Sequence, residues 1–157
     1  MFLVFDTETT GLPKRWNAPI DDLDNWPRCV QLAWQLHDAN GKLIENQNYL
    51  IKPVDFDIPF ESEKIHGIST ELAKSHGDEL DFVLKQFEKA LNKAQFIVGH
   101  NINFDKNIIG AEFLRAGNKK LNLQNFIILD TCTEHTASLC KLQGGRGGRF
   151  KLPTLVE

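Results

Sequence analysis

The residues with the most chemistry to offer are Asp6 and Glu8, two positions apart at the end of the apolar run Phe2-Leu3-Val4-Phe5. Four apolar residues in a row predict a buried central strand. Successive strand side chains alternate faces, so both carboxylates point the same way. Two carboxylates side by side repel, and desolvation at a buried strand end makes the pair costlier. A divalent cation between them removes both costs, because hard cations take oxygen ligands. Thr9-Thr10-Gly11 then ends the strand, with Gly11 supplying a tight turn or a close backbone approach. By itself Asp-x-Glu at a strand end reads as a solvated turn. The longer stretch through Leu12 and a second motif downstream turn the reading toward a metal site.

That second motif is Gly99-His100-Asn101-Ile102-Asn103-Phe104-Asp105. It falls where a short strand turns into a helix, and strand ends in open α/β sheets collect ligand groups. Asp105 alone is a favourable first-turn charge on the helix dipole. With its strand laid beside the first, Asp105 faces Asp6 and Glu8 as a third metal ligand.

The elements that must position these acids follow from hydrophobic period. Val30, Leu32, Trp34 and Leu36 alternate with polar or small residues, the pattern of a half-buried strand. Asn40-Gly41 is a hairpin signal, and the next strand spans about 42–51 before Pro53. Together with the first strand these predict an antiparallel three-strand meander. Short helices are expected over 62–66 and 70–75 around Gly67. Asp78 is placed to cap a longer helix carrying Leu80, Val83, Leu84, Phe87 and Leu91 at helical spacing. A buried strand at 96–98, a helix over 103–116 ending at Gly117, a strand at 126–129 and a helix to about 142 complete the order. The predicted class is α/β: a mixed sheet, the meander plus parallel strands, flanked by helices.

With 157 residues the chain is expected to be one domain, 1–157, and no internal repeat or dividing linker interrupts it. Composition is that of a globular protein, 41% hydrophobic and 25% charged, and no apolar run approaches the ~18 residues of a membrane span. The N-terminus does not read as a signal peptide. Cys29, Cys132 and Cys140 form no Cys-x-x-Cys pair, which fits a reducing, cytoplasmic setting. A net charge of −3 argues against a protein that coats duplex by phosphate neutralisation. It leaves open an enzyme that grips nucleic acid through bound metal. Residues 13–28 read as a polar loop whose acids Asp21, Asp22 and Asp24 are solvated.

The two motifs resemble the first and second exonuclease motifs of the DEDD 3′–5′ exonucleases, and most of all the group of the epsilon proofreading subunit of bacterial DNA polymerase III. Pro27-Arg28-Cys29-Val30-Gln31-Leu32-Ala33-Trp34, Ile65-His66-Gly67-Ile68-Ser69 and Leu129-Asp130-Thr131 match that group's landmarks, so the likeness spans essentially the whole chain. The resemblance implies a ribonuclease H-like fold and hydrolytic release of nucleoside monophosphates from a 3′ end. It implies two Mg²⁺ or Mn²⁺ ions in the complete enzyme, with Asp6 bridging them and Glu8 and Asp105 each completing one side. It also implies that Thr7, Thr9, Gly11, Leu12, His66, Asn101 and Phe104 receive the terminal nucleotide; as plain sequence, Leu12 and Phe104 read equally well as core. The implied partners are a single-stranded or frayed 3′ end of DNA and a DNA polymerase subunit, with no membrane.

The family's third motif, His-x-x-x-x-Asp, is expected after a helix that begins near Leu152, so the chain reads as truncated before it. His135 imitates the motif but is followed five residues later by Cys140, and it reads as a helix-surface residue. On that ground this chain alone is expected to be weakly active or inactive. A flank of the sheet is expected to be left uncovered, or buried against a second copy of the chain. The run Gly144-Gly145-Arg146-Gly147-Gly148-Arg149 lacks the Gly-Lys-Ser/Thr of a P-loop and reads as a basic loop near the site. Two alternatives to a DNA exonuclease stand beside it: a module that binds nucleic-acid ends without turnover, and an exoribonuclease on short RNA.

Overall fold

The computed structural model describes residues 1–117, 121, 123 and 125–139. The strands are β1 (Phe2–Thr9), β2 (Cys29–His37), β3 (Leu43–Leu50), β4 (Phe96–Gly99) and β5 (Ile127–Asp130). The helices are α1 (Phe60–His66), α2 (Thr70–His76), α3 (Leu80–Leu91), α4 (Ile102–Arg115) and α5 (Glu134–Leu139). The strands form one five-stranded sheet in the order β3-β2-β1-β4-β5. β1 pairs antiparallel with β2 and parallel with β4, and β4 pairs parallel with β5. The meander, the central position of β1 and the mixed sheet are as the sequence predicts.

β1 departs from expectation in its faces. The apolar run is buried on one side only: Leu3, Phe5, Thr7 and Thr9 face the core, whereas Val4 and Asp6 are exposed. The core side is closed by α3 and α4, with Phe87 edge-on to Phe5 at 5.0 Å and to Trp34 at 5.5 Å. On the other side Phe2 stacks on Phe96 at 4.6 Å, and a pocket of about 360 Å³ lined by Val4, Asp6, Ala33, Val98 and His100, among others, lies beside the acids.

Three local details also differ. The β2–β3 connection is a loop over 38–42 rather than a two-residue turn. The Asp38 carboxylate accepts from the N–H groups of Asn40 (2.8 Å) and Lys42 (2.9 Å), and only Gly41 takes positive φ. Asp78 does not cap α3, whose N-cap is Glu79; the Asp78 backbone bridges to Ile51 in parallel instead. Residues 13–28 are not simply a solvated loop, because Trp26 is core and donates its indole N–H to the Pro19 carbonyl at 3.0 Å. Among the described residues no helix is long and apolar enough to cross a membrane. The expected segments after 139, including the glycine-arginine run and Leu152, lie outside the described residues, as does Cys140.

Candidate active site

The register explains how a helix comes to touch the acidic strand. β4 pairs with β1 only from Phe2 to Val4, so Asp6 to Thr9 run past its end. The β1 ladder with β2 continues there and slips between Glu8 and Thr9, a bulge of the kind that re-aims side chains beside active sites. Into the space beyond β4 comes the first turn of α4. Its Asp105, only 3% exposed, accepts the Thr7 N–H at 3.0 Å and the Thr7 hydroxyl at 2.6 Å on the same oxygen, Oδ1. A carboxylate thereby satisfies a backbone donor that a longer β4 would have paired.

Burial raises the pKa of each acid. Asp105 is pushed up to about 7, chiefly by desolvation; the Thr7 hydroxyl and N–H oppose this, and the negative charge of Asp6 adds to it. Asp6, exposed as a residue but with its carboxylate partly desolvated by its surroundings, is raised by that desolvation, against the Thr7 N–H and the charge of His100. Glu8 is raised by burial and then by Asp6. The three predicted ligands are thus electrostatically linked through Asp6. Oxygen donors whose ionised forms are disfavoured by burial and by each other suit a hard divalent cation. The described residues nevertheless contain no group of three His, Cys, Asp or Glu side chains that could by themselves hold a metal ion. Asp6 and Glu8 follow the solvent-side alternation of β1, whereas Asp105 is hydrogen-bonded to the core-facing Thr7.

Thr7, expected to hold a nucleotide, is buried with its hydroxyl engaged by Asp105. Thr9 is also buried and donates its hydroxyl to the Gly11 carbonyl at 2.7 Å, so it shapes the turn. Gly11 has φ +147°, a conformation that favours glycine, and open space where a side chain would stand. Leu12 is 73% exposed, which excludes the plain-core reading; Phe104 packs partly against the core. His66 ends α1, and its Nδ1 accepts the Ile68 N–H at 3.1 Å. That bond places the proton of the neutral ring on Nε2, which is buried without a hydrogen-bond partner among the described residues. Burial lowers the His66 pKa, with the Thr9 backbone close enough to oppose the shift. Asn101 is the N-cap of α4 in the left-handed conformation, φ 60°.

Asp130 holds that turn in place, accepting the N–H groups of Asn101 and Cys132, each at 2.8 Å. This is the physical content of the Leu129-Asp130-Thr131 landmark, and periodicity alone did not reveal it. The His-x-x-x-x-Asp spacing sought near the end of the chain occurs twice earlier, at His76–Asp81 and His100–Asp105. His76 is exposed at the end of α2. His100 is placed at the acids: its Nδ1 lies 3.0 Å from the Thr131 hydroxyl, and its charge is felt at Asp6. His135 is exposed on α5, as expected.

Residues 3–144 match the family model RNase_T, described as Exonuclease, and the chain belongs to that family. Over 130 residues, 83% of this chain, it is 28% identical to the DNA polymerase III PolC-type of Mycoplasmopsis pulmonis (strain UAB CTIP), covering 8% of that protein. It is 30% identical over the same length to the 3′-5′ exonuclease DinG of Bacillus subtilis (strain 168), covering 12%. The chain thus spans a small fraction of the length of these relatives. Escherichia coli exonuclease I in complex with a dT13 oligonucleotide superposes with a TM-score of 0.69 at 22% identity, over 88% of this chain and 29% of that one. A product-bound exonuclease I gives 0.75 at 20%, over 99% and 37%. The shared fold is ribonuclease H-like.

Proposed function

We propose that the chain is a metal-dependent 3′–5′ exonuclease domain that releases nucleoside monophosphates from the 3′ end of DNA, in proofreading or repair. The observation that carries this reading is the linkage of Asp6, Glu8 and Asp105 at the place where β1 outruns β4, in a chain of the exonuclease family. Asp6, Glu8 and Asp105 would hold the ions. Two divalent ions, Mg²⁺ or Mn²⁺, would supply an activated water and stabilise the leaving 3′ oxygen.

The chain's own residues do the rest. Thr7 fixes Asp105 by its hydroxyl and N–H. His66, at the end of α1, would line the pocket for the terminal nucleotide. Gly11, without a side chain, lets that nucleotide approach the backbone, while exposed Leu12 and the Phe104 ring meet its base. The PolC-type relative supports work beside a polymerase subunit, and the DinG relative supports 3′-end hydrolysis.

The test is product analysis on 5′-labelled single-stranded DNA and on the matching RNA with Mn²⁺, using Asp6→Asn as control. Stepwise shortening of the DNA, lost in the variant, supports the proposal. Tight binding of the 3′ end without shortening would make the domain an end-binding module, and preferential shortening of RNA would make it an exoribonuclease.

A further inference from the structure

Trp16 belongs to neither acidic motif. It lies in the loop after β1, 54% exposed, with its ring centroid 5.9 Å from that of Phe104 and tilted by 50°. Phe104 is the residue next to Asp105 in α4. An exposed indole is thus braced on an aromatic ring one residue from the acidic centre.

The loop that carries it is preorganised. Asn25, 4% exposed, clamps Arg15 from both sides: its Oδ1 accepts the Arg15 N–H at 2.7 Å and its Nδ2 donates to the Arg15 carbonyl at 3.0 Å. The Lys14 N–H donates to the Asn25 carbonyl at 3.1 Å, and the Arg15 guanidinium reaches Asp22 at 2.8 Å. Lys14, and Arg15 in its ion pair with Asp22, therefore precede the ring on a fixed backbone. A buried amide that fixes the backbone beside an exposed tryptophan leaves little ordering entropy to lose when that ring is used. Aromatic rings beside cationic side chains are how single-stranded nucleic acid is held without sequence preference.

We propose that Trp16, braced by Phe104, is a stacking platform for the base of the nucleotide next to the terminal one, and so a determinant of affinity for unpaired strands. The inference rests on the exonuclease reading and adds a binding residue to it. Stacking needs an exposed base face, so the platform favours a single strand or a frayed end over intact duplex. It acts on substrate affinity and leaves the chemical step alone.

The experiment measures KM and kcat with Mn²⁺ for (dT)10 and for the p-nitrophenyl ester of thymidine 5′-phosphate, which has no second base. For Trp16→Ala, KM for (dT)10 should rise about tenfold, equivalent to about 1.4 kcal/mol, with kcat and the ester kinetics unchanged. Trp16→Phe should recover most of the loss. Unchanged KM for (dT)10 overturns the proposal. Parallel losses on both substrates with a lowered Tm also overturn it, because the ring then only supports the fold. If the wild type turns over neither substrate, the domain is an end-binding module rather than an exonuclease by itself, and the platform is judged by fluorescence. Trp26 and Trp34 are buried, so quenching by (dT)10 that disappears in Trp16→Phe sustains the platform, and absence of quenching refutes it.

Discussion

Thr7 and Asp105, 98 positions apart in sequence, meet through two hydrogen bonds on a single carboxylate oxygen. The contact ties the first turn of α4 to the stretch of β1 that has no β4 neighbour, and it places a buried carboxylate next to Asp6. Thr7 is therefore better described as the residue that orients Asp105 than as one that touches substrate.

Replacing Thr7 by Val keeps the shape and the backbone N–H but removes the 2.6 Å hydroxyl bond. With its pKa at about 7 the Asp105 carboxyl is only partly ionised at neutral pH, so denaturant unfolding there should show a loss of about 1–2 kcal/mol, between the values for neutral and charged acceptors. KM should change little. A raised KM with unaltered stability would return Thr7 to the nucleotide pocket.

Asp105 should also leave a mark on the pH dependence of stability. Its pKa is raised in the folded chain to about 7, from 3.8. The folded state therefore binds the proton more tightly than the unfolded state does. The resulting stabilisation is fully present below about pH 4 and is lost as pH rises through about 7. Asp105→Asn keeps an oxygen for Thr7 and cannot ionise. Without metal, the variant should gain Tm relative to wild type between about pH 5 and pH 8. Parallel Tm curves across that range would show that Asp105 does not titrate there.

The sequence made the succession of strands and helices, the meander and the two acidic motifs legible, because these follow from period and from residue type. It could not show which side of β1 would be covered. An unbroken apolar run is the mark of a strand buried on both faces, yet Val4 is open and Phe5 is not. Nor could it show that Thr7 and Thr9 point inward, since this depends on which face α3 and α4 take. Asp78 illustrates the same limit: a cap residue by type, it was claimed by a bridge to Ile51 that only the tertiary fold supplies.

Glu112 was equally invisible, a mid-helix acid with no motif around it. It is fully buried, accepts from Arg28 Nε at 2.9 Å, Arg115 at 3.0 Å and the Cys29 N–H at 2.8 Å, and joins α4 to the start of β2. Removing one partner of a buried ion pair typically costs about 3–5 kcal/mol. Glu112→Ala should destabilise the chain by that order in urea unfolding. A loss below about 1 kcal/mol would mean that water replaces the carboxylate at little cost.

The acids make a last prediction that separates metal binding from activity. Asp6, Glu8 and Asp105 all have raised pKa values, and desolvation is the leading cause in each. An ion that binds them must displace whatever protons they hold, so affinity should climb with pH. A fixed Mn²⁺ concentration of about a hundred times the Kd at pH 8 should stabilise the fold there by ~2.7 kcal/mol, a rise in Tm of roughly 5–10 °C for a chain of this size. The rise should be large near pH 8 and small near pH 5.5. Asp6→Asn should remove most of it, and, if Asp6 holds the ions as proposed, should lower nucleotide release by at least ~10³-fold. A Tm rise that survives in the variant, or that is equal at both pH values, would place the ion elsewhere on the chain.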